Sequence, residues 1–173
     1  RLVELRNRIA NAFGQIDVQL KRRYDLIPNL VEVARGYLQH EASTLQAVIE
    51  ARGQAQGAAA VARAAPTNAG AVSGLSMAEG VLGASLGRLM AVSERYPELK
   101  ADATMQQLSE ELASTENRVG FARQAFNDQV LDFNNAAQQF PTLIVARLAG
   151  FAPAAMLAST QSDEERRAPR VQF

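Results

Sequence analysis

The chain has 173 residues, with 18 Lys and Arg against 18 Asp and Glu and a single His, so its formal charge is zero. That length points to one domain of ordinary size, and the balanced charge lacks the electrostatic footprint of a nucleic-acid binder. The absence of Cys excludes disulfides, thiolate metal sites and cysteine nucleophiles, and one His leaves little room for metal or general-base chemistry.

An apolar stripe is already running at Leu2, Leu5 and Ile9 directly behind Arg1, which leads to the expectation that a signal peptide or membrane span precedes these residues. Within them, no window is expected to reach the ~20 apolar residues of a bilayer crossing. The longest uncharged stretch, Ala64 to Ala78, is broken by Pro66, Asn68, Gly70 and Gly74.

The stripe continues through Ala12, Ile16, Leu20, Tyr24, Ile27, Val31, Ala34, Leu38, Ala42 and Leu45 to Ile49, spaced three and four apart. This predicts a helix packed along its length on others. Pro28 donates no amide hydrogen and crowds the preceding turn. The unbroken phase around it predicts a kink, or a stop and immediate restart with Asp25 as N-cap, without reversal of direction. From Gly53 to Gly74 the composition turns to Ala, Gly, Gln and Asn around Pro66, which predicts a mobile connector in the middle, with an Ala content able to extend the preceding helix by a turn or two.

A second helix is expected from about Ser76 to Tyr96, ending where Pro97 disfavours helical geometry in the residue before it. Gly83 and Gly87, one turn apart, are expected to let a neighbouring helix approach closely; a membrane dimer motif needs an apolar 20-mer around it. The third helix is the clearest, with Met105, Leu108, Leu112, Thr115, Val119, Ala122, Phe126, Val130, Phe133, Ala137 and Phe140 on one face and Pro141 closing it. A shorter apolar piece, Leu143 to Phe151, follows, and then a polar tail. No period-two alternation predicts a strand. The expectation is an all-α antiparallel bundle of three to five long helices over residues 1–158, with a kink near Pro28 and a polar tail over 159–173.

Little in this pattern carries chemistry. His40 beside Glu41 lacks both a second His and a Glu three residues before it, so a di-metal bundle site fails, and His40 is expected to be a surface or hydrogen-bonded residue. The glycines follow no strand and match no phosphate-binding turn. No nucleophile, cofactor site or metal site is expected, and the chain reads as non-enzymatic. Lys21, Arg22 and Arg23 must point in different directions around a helix. At least one approaches the bundle seam, where its guanidinium needs a partner such as Glu116, Asn127 or Asn134 on the third helix; a site for an anionic head group is the alternative. The apolar piece Phe140 to Leu157 carries one charge, Arg147, and must be covered by the bundle end, by a bilayer surface or by another subunit.

These residues resemble those of the LemA family of bacterial proteins. The likeness rests on LVELRN at Leu2 to Asn7, QIDVQLKRRYDLIPN at Gln15 to Asn29 followed by LVE, GYLQHE at Gly36 to Glu41, ELASTENR at Glu111 to Arg118, and Phe121 to Phe140. The resemblance implies a four-helix-type bundle tethered by one N-terminal transmembrane helix to the bacterial inner membrane, with this domain on the cytoplasmic side. It implies no catalytic residue and no cofactor. The polar residues within the matching blocks, Asp17, Arg22, Arg23, Asp25, Asn29, Glu116, Asn127 and Asn134, are expected to be structural. The function expected is a membrane-anchored helical scaffold that forms homo-oligomers or offers a helical surface to other envelope proteins, without nucleic acid. The alternative is a lipid-binding or membrane-shaping module acting through Lys21 to Arg23 or through Phe140 to Leu157.

Overall fold

A computed structural model describes residues 1–139 and 142–158. The expected tail over 159–173, and the roles given to Phe140 and Pro141, lie outside the described residues. The elements are α1 (Leu2–Arg35), α2 (Ala42–Ala64), α3 (Ala69–Ser93), α4 (Pro97–Lys100), α5 (Ala103–Gln138) and α6 (Thr142–Leu148), with no strand among the described residues.

The two longest helices form the spine. With 34 and 36 residues, α1 and α5 extend about 50 Å each. They run antiparallel: Phe13 meets Phe126, Arg22 meets Glu111, and Tyr37 meets Asp102. Leu5, Ile9, Ile16, Leu20, Ile27 and Val31 on α1 interleave with Leu112, Val119, Phe126, Val130 and Phe133 on α5, all buried. The α2–α3 hairpin forms the second layer and meets the spine chiefly between α1 and α2. Arg63 lies against Asp17 and Arg52 against Tyr24, so the hairpin tip points toward the N-terminal third of α1.

Local signals explain the boundaries. Asn68 and Asp102 are N-caps whose side chains accept from Ala71 N at 2.9 Å and Met105 N at 3.0 Å, satisfying amides that the first helical turn leaves unpaired. Pro97 opens α4, where its missing N–H costs nothing.

The expected helix from Leu2 to Ile49 is corrected. The chain reverses over Gly36–Glu41, and α1 passes through Pro28 without a stop or restart at Asp25. Leu38, 2% exposed, points into the core from within the turn, so the apolar spacing runs on although the helix does not. The expected connector over Gly53 to Gly74 is corrected as well. Helix α2 continues to Ala64, only residues 65–68 turn around Pro66, and α3 begins at Ala69 and ends at Ser93. Ala51, Ala55, Ala59 and Ala62 form the buried stripe of α2, and Ala, the best helix former, favours helix over loop.

Two further expectations change. By length and composition alone α3 is apolar enough to cross a membrane, contrary to the expectation that no window reaches that measure. Its Glu79, however, is buried and ion-paired inside the fold. Among the described residues no neighbouring helix presses on Gly83 or Gly87: a Cβ built at either meets nothing within 4 Å.

Where α2 and α3 do not reach, the C-terminal segment covers the spine. The apolar piece after residue 139 packs through Ala146, Ala154 and Leu157, while Ile144, Val145, Leu148 and Met156 remain exposed. Gly150 turns the chain with φ +74, a conformation open to glycine at little cost, and residues 151–158 run alongside α5.

Candidate functional site

Asp17, Lys21, Arg23 and Tyr24 of the Gln15 to Asn29 block converge where the α2–α3 hairpin docks on α1. Arg23 and Glu79 form an ion pair at 2.8 Å with side chains only 6% and 5% exposed. The Tyr24 hydroxyl donates to the other Glu79 oxygen and lies 3.4 Å from the Ala55 carbonyl. Burial, followed by the Glu79 carboxylate, pushes the Tyr24 hydroxyl far above its ordinary range, so it remains a donor at every physiological pH. Two charges and a hydroxyl are thus satisfied together, as burial of such groups requires.

About two turns toward the N-terminus, Arg63 grips Asp17 with two bonds, Nε to Oδ2 at 2.7 Å and a terminal nitrogen to Oδ1 at 2.9 Å, and Lys21 approaches at 3.4 Å. Burial pushes the Asp17 carboxyl up, but Arg63 and then Lys21 more than offset this and hold it below its ordinary 3.8. A carboxyl depressed in the folded state stabilises fully above its unfolded value and loses that contribution as pH falls through the folded one. The melting temperature is therefore expected to fall on acidification below about pH 4, with a shallower acid slope in Asp17→Asn; an identical slope in calorimetric scans of the two proteins contradicts this.

Pro28 has a specific consequence in the same region. Lacking an N–H, it cannot bond the carbonyl four residues earlier, which belongs to Tyr24. That carbonyl instead accepts from Arg52 Nε on α2 at 2.6 Å. The proline therefore opens the α1 ladder at the place where the hairpin attaches.

A second cluster holds the C-terminal segment. Asn134 donates to the Ala154 carbonyl and accepts from Ala154 N, both at 2.9 Å; Asn127 does the same with Leu157 at 3.0 and 2.8 Å. Seven residues of helix rise about 10.5 Å, nearly the span of three extended residues, so the two amides match Ala154 and Leu157. Each asparagine acts like a residue of an adjacent strand. In the double variant Asn127→Ala with Asn134→Ala, the amides of Ala154 and Leu157 are expected to lose hydrogen-exchange protection while those of α1 and α5 keep theirs, each deletion costing about 1–3 kcal/mol locally. Unchanged exchange at these two amides contradicts the assignment.

The placement of the sequence-derived residues is mixed. Asp17 and Arg23 enter the interior network. Arg22 reaches Glu111 on α5 at 3.5 Å across an exposed seam. Asp25, Asn29 and Glu116 are exposed, and Glu116 lines an open hollow of about 650 Å³ shared with Arg23 and Phe121. The partner expected for the seam arginine is corrected: it is Glu79 of α3, and Asn127 and Asn134 bind backbone instead. His40 is exposed in the α1–α2 turn. Among the described residues no group of His, Asp and Glu is arranged to hold a metal.

Sequence reasoning missed Glu79, Arg63, Arg52 and Tyr24. A signal was present for two of them: between Gly53 and Gly87 the only charged residues are Arg63 and Glu79. Isolated charges in so apolar a stretch call for buried partners.

A family model described as LemA family matches residues 12–173, nearly the whole chain. The chain is 34% identical over 82 residues to a protein named Magnetosome protein MamQ from Magnetospirillum gryphiswaldense, covering 47% of this chain and 30% of that one. It is 32% identical over 74 residues to Magnetosome proteins MamQ 1 and MamQ 2 of Paramagnetospirillum magneticum, covering 43% of this chain and 27% of each. The chain thus spans less than a third of these relatives' length.

Proposed function

The chain belongs to the LemA family, and on that footing we propose that it is a membrane-associated, non-enzymatic helical scaffold of the bacterial envelope that associates with copies of itself. The observation that carries this reading is the division of its polar groups. The motif residues buried at the hairpin are consumed in pairs that hold helices together, whereas no described residue partners the outer hairpin surface. Between Gly53 and Gly87 the two charges are both paired with α1, Glu79 in the interior and Arg63 at a half-exposed edge, so the outer faces of α2 and α3 present no unpaired charge over that stretch.

Those faces expose Val61, Met77 (71%) and Val81 (54%). They also carry Gly53, Gly57, Gly74, Gly83 and Gly87, where a Cβ would meet nothing within 4 Å. A glycine inside a helix costs about 1 kcal/mol relative to alanine, and internal packing does not use these. Contact with another helix supplies a use, because small residues let backbones approach closely and the exposed methionine and valines add apolar area. Envelope location is supported by the family and by relatives named for the magnetosome; the inner membrane, with this domain on its cytoplasmic side, is the proposed setting.

Mass photometry of the whole protein in native-membrane nanodiscs tests the reading. Multimers are expected, shifting toward the monomer in Met77→Glu with Val81→Glu. A monodisperse monomer across physiological concentrations overturns it.

A further inference from the structure

The chain is neutral overall, yet its described residues are polarised along the bundle. At the end where α1 begins and α5 finishes, Arg1, Arg6, Arg8 and Arg147 outnumber Glu4 and Asp132. At the opposite end, Arg35, Arg95 and Lys100 are outnumbered by carboxylates that include Glu32, Glu94, Glu98 and Asp102.

The cationic end also carries the most exposed apolar residue among the described ones. Helix α6 buries Ala146 and exposes Ile144 (50%), Val145 (56%) and Leu148 (84%), with Leu148 three and four positions from the other two and so beside both. No described residue covers this face. Arg147 stands beside it, and Arg6 stacks over Phe151 at 5.4 Å with its charged edge free to face solvent.

We propose that this end of the bundle is a docking surface for an anionic lipid bilayer. Ile144, Val145 and Leu148 enter the boundary between head groups and acyl chains, and Arg1, Arg6 and Arg147 meet lipid phosphates, while Arg8 keeps its ion pair with Glu4 at 2.7 Å. The inference rests on the membrane association proposed above and deepens it by assigning the face. Apolar side chains on one helix face with arginines around them are the composition that holds a helix in the plane of a membrane interface, and arginine stems reach outward to keep their charge at the head groups. The polarisation sets the orientation, because an anionic surface attracts one end and repels the other.

The rival surface is α3, which is long and apolar enough for a membrane by composition. Placing α3 in hydrocarbon separates Glu79 from Arg23 and Tyr24, leaving buried charges without partners, whereas docking α6 breaks no internal contact.

The sequence contains no Trp, so one introduced indole reports on its own site. The 173-residue chain is floated with vesicles of phosphatidylglycerol and phosphatidylcholine, or of phosphatidylcholine alone, at low and high salt. Binding is expected to the anionic vesicles and to weaken with salt. The double variant Val145→Glu with Leu148→Glu, its helicity verified by circular dichroism, is expected to bind about tenfold less. On anionic vesicles the emission of Leu148→Trp is expected to shift to the blue, and that of Met77→Trp to stay constant.

Equal binding to neutral vesicles, full binding by the double variant, or a shift confined to Met77→Trp overturns the assignment of α6 while leaving membrane association standing. Absence of flotation also overturns it. In that case fractionation of cells expressing the whole protein decides the wider reading: recovery in the membrane fraction retains it, and recovery in the soluble fraction ends both.

Discussion

Replacing Glu79 by alanine is expected to lower the unfolding free energy by about 3–5 kcal/mol, because it leaves Arg23 buried without a counter-charge and removes the acceptor of the Tyr24 hydroxyl. The loss is large against the ~5–15 kcal/mol that holds a typical domain together. Desolvating Arg23 is tolerable only because the carboxylate lies 2.8 Å away; with methyl in its place, either the guanidinium stays buried and unpaired or the hairpin moves aside to admit water. Urea denaturation measures the change. Glu79→Gln keeps an oxygen for Tyr24 but loses the charge, and is expected to fall between the wild type and Glu79→Ala. A cost below about 1 kcal/mol for Glu79→Ala, the scale of an exposed pair, contradicts the interior placement.

The second large effect belongs to the spine. Phe126 is fully buried, and its ring meets that of Phe13 edge-on at 6.0 Å with an interplanar angle of 68°. Phe126→Ala removes the ring and leaves a cavity that two long helices cannot close without sliding, so it is expected to cost about 3–5 kcal/mol. Phe126→Leu, which fills much of the same space, is expected to cost about 1.5 kcal/mol or less. The edge-to-face contact itself contributes about 0.5–1.5 kcal/mol beyond area, measurable as the coupling between Phe13→Leu and Phe126→Leu in a double-mutant cycle. If Phe126→Ala costs no more than Phe126→Leu, the contact between α1 and α5 is not the packed seam described.

The two predictions differ in how visible their residues were before the structure. Phe126 stood in an unbroken run from Met105 to Phe133 spaced three and four apart, and periodicity of that length identifies both the helix and its buried side. The all-α class followed from the same patterning. Arg23 was recognisable as a cation forced toward a seam, but its partner was not. Glu79 lies 56 residues away in sequence, and nothing local encodes which helices become neighbours after two reversals of the chain.

Those reversals were the least visible features. Leu38 keeps the apolar spacing through a turn, so the strongest local signal argues for continuation. In α2 the buried stripe from Ala51 to Ala62 is alanine, whose contrast with the surrounding Gln and Gly is too slight to read as a face. Pro28 was recognised as a disruption, but its consequence, a backbone carbonyl offered to Arg52, depends on a helix contributed from elsewhere in the chain. The asparagine pairs at 127 and 134 were noticed as polar residues on an apolar helix. That they hold an extended segment becomes apparent only when 151–158 lies beside them.

The central claim is that the buried polar residues hold helices together and that function resides on the outer surfaces. It is tested most directly by the triple replacement Arg23→Met, Tyr24→Phe and Glu79→Leu, which leaves no orphaned hydroxyl beside the removed pair, followed in mass photometry of the whole protein in native-membrane nanodiscs. Exchanging a buried ion pair for apolar residues of similar volume is often neutral for stability. The account predicts a folded variant with the same distribution of multimers as the wild type. A folded variant that has become monomeric contradicts it, since the pair would then serve association itself and not the internal docking of the hairpin.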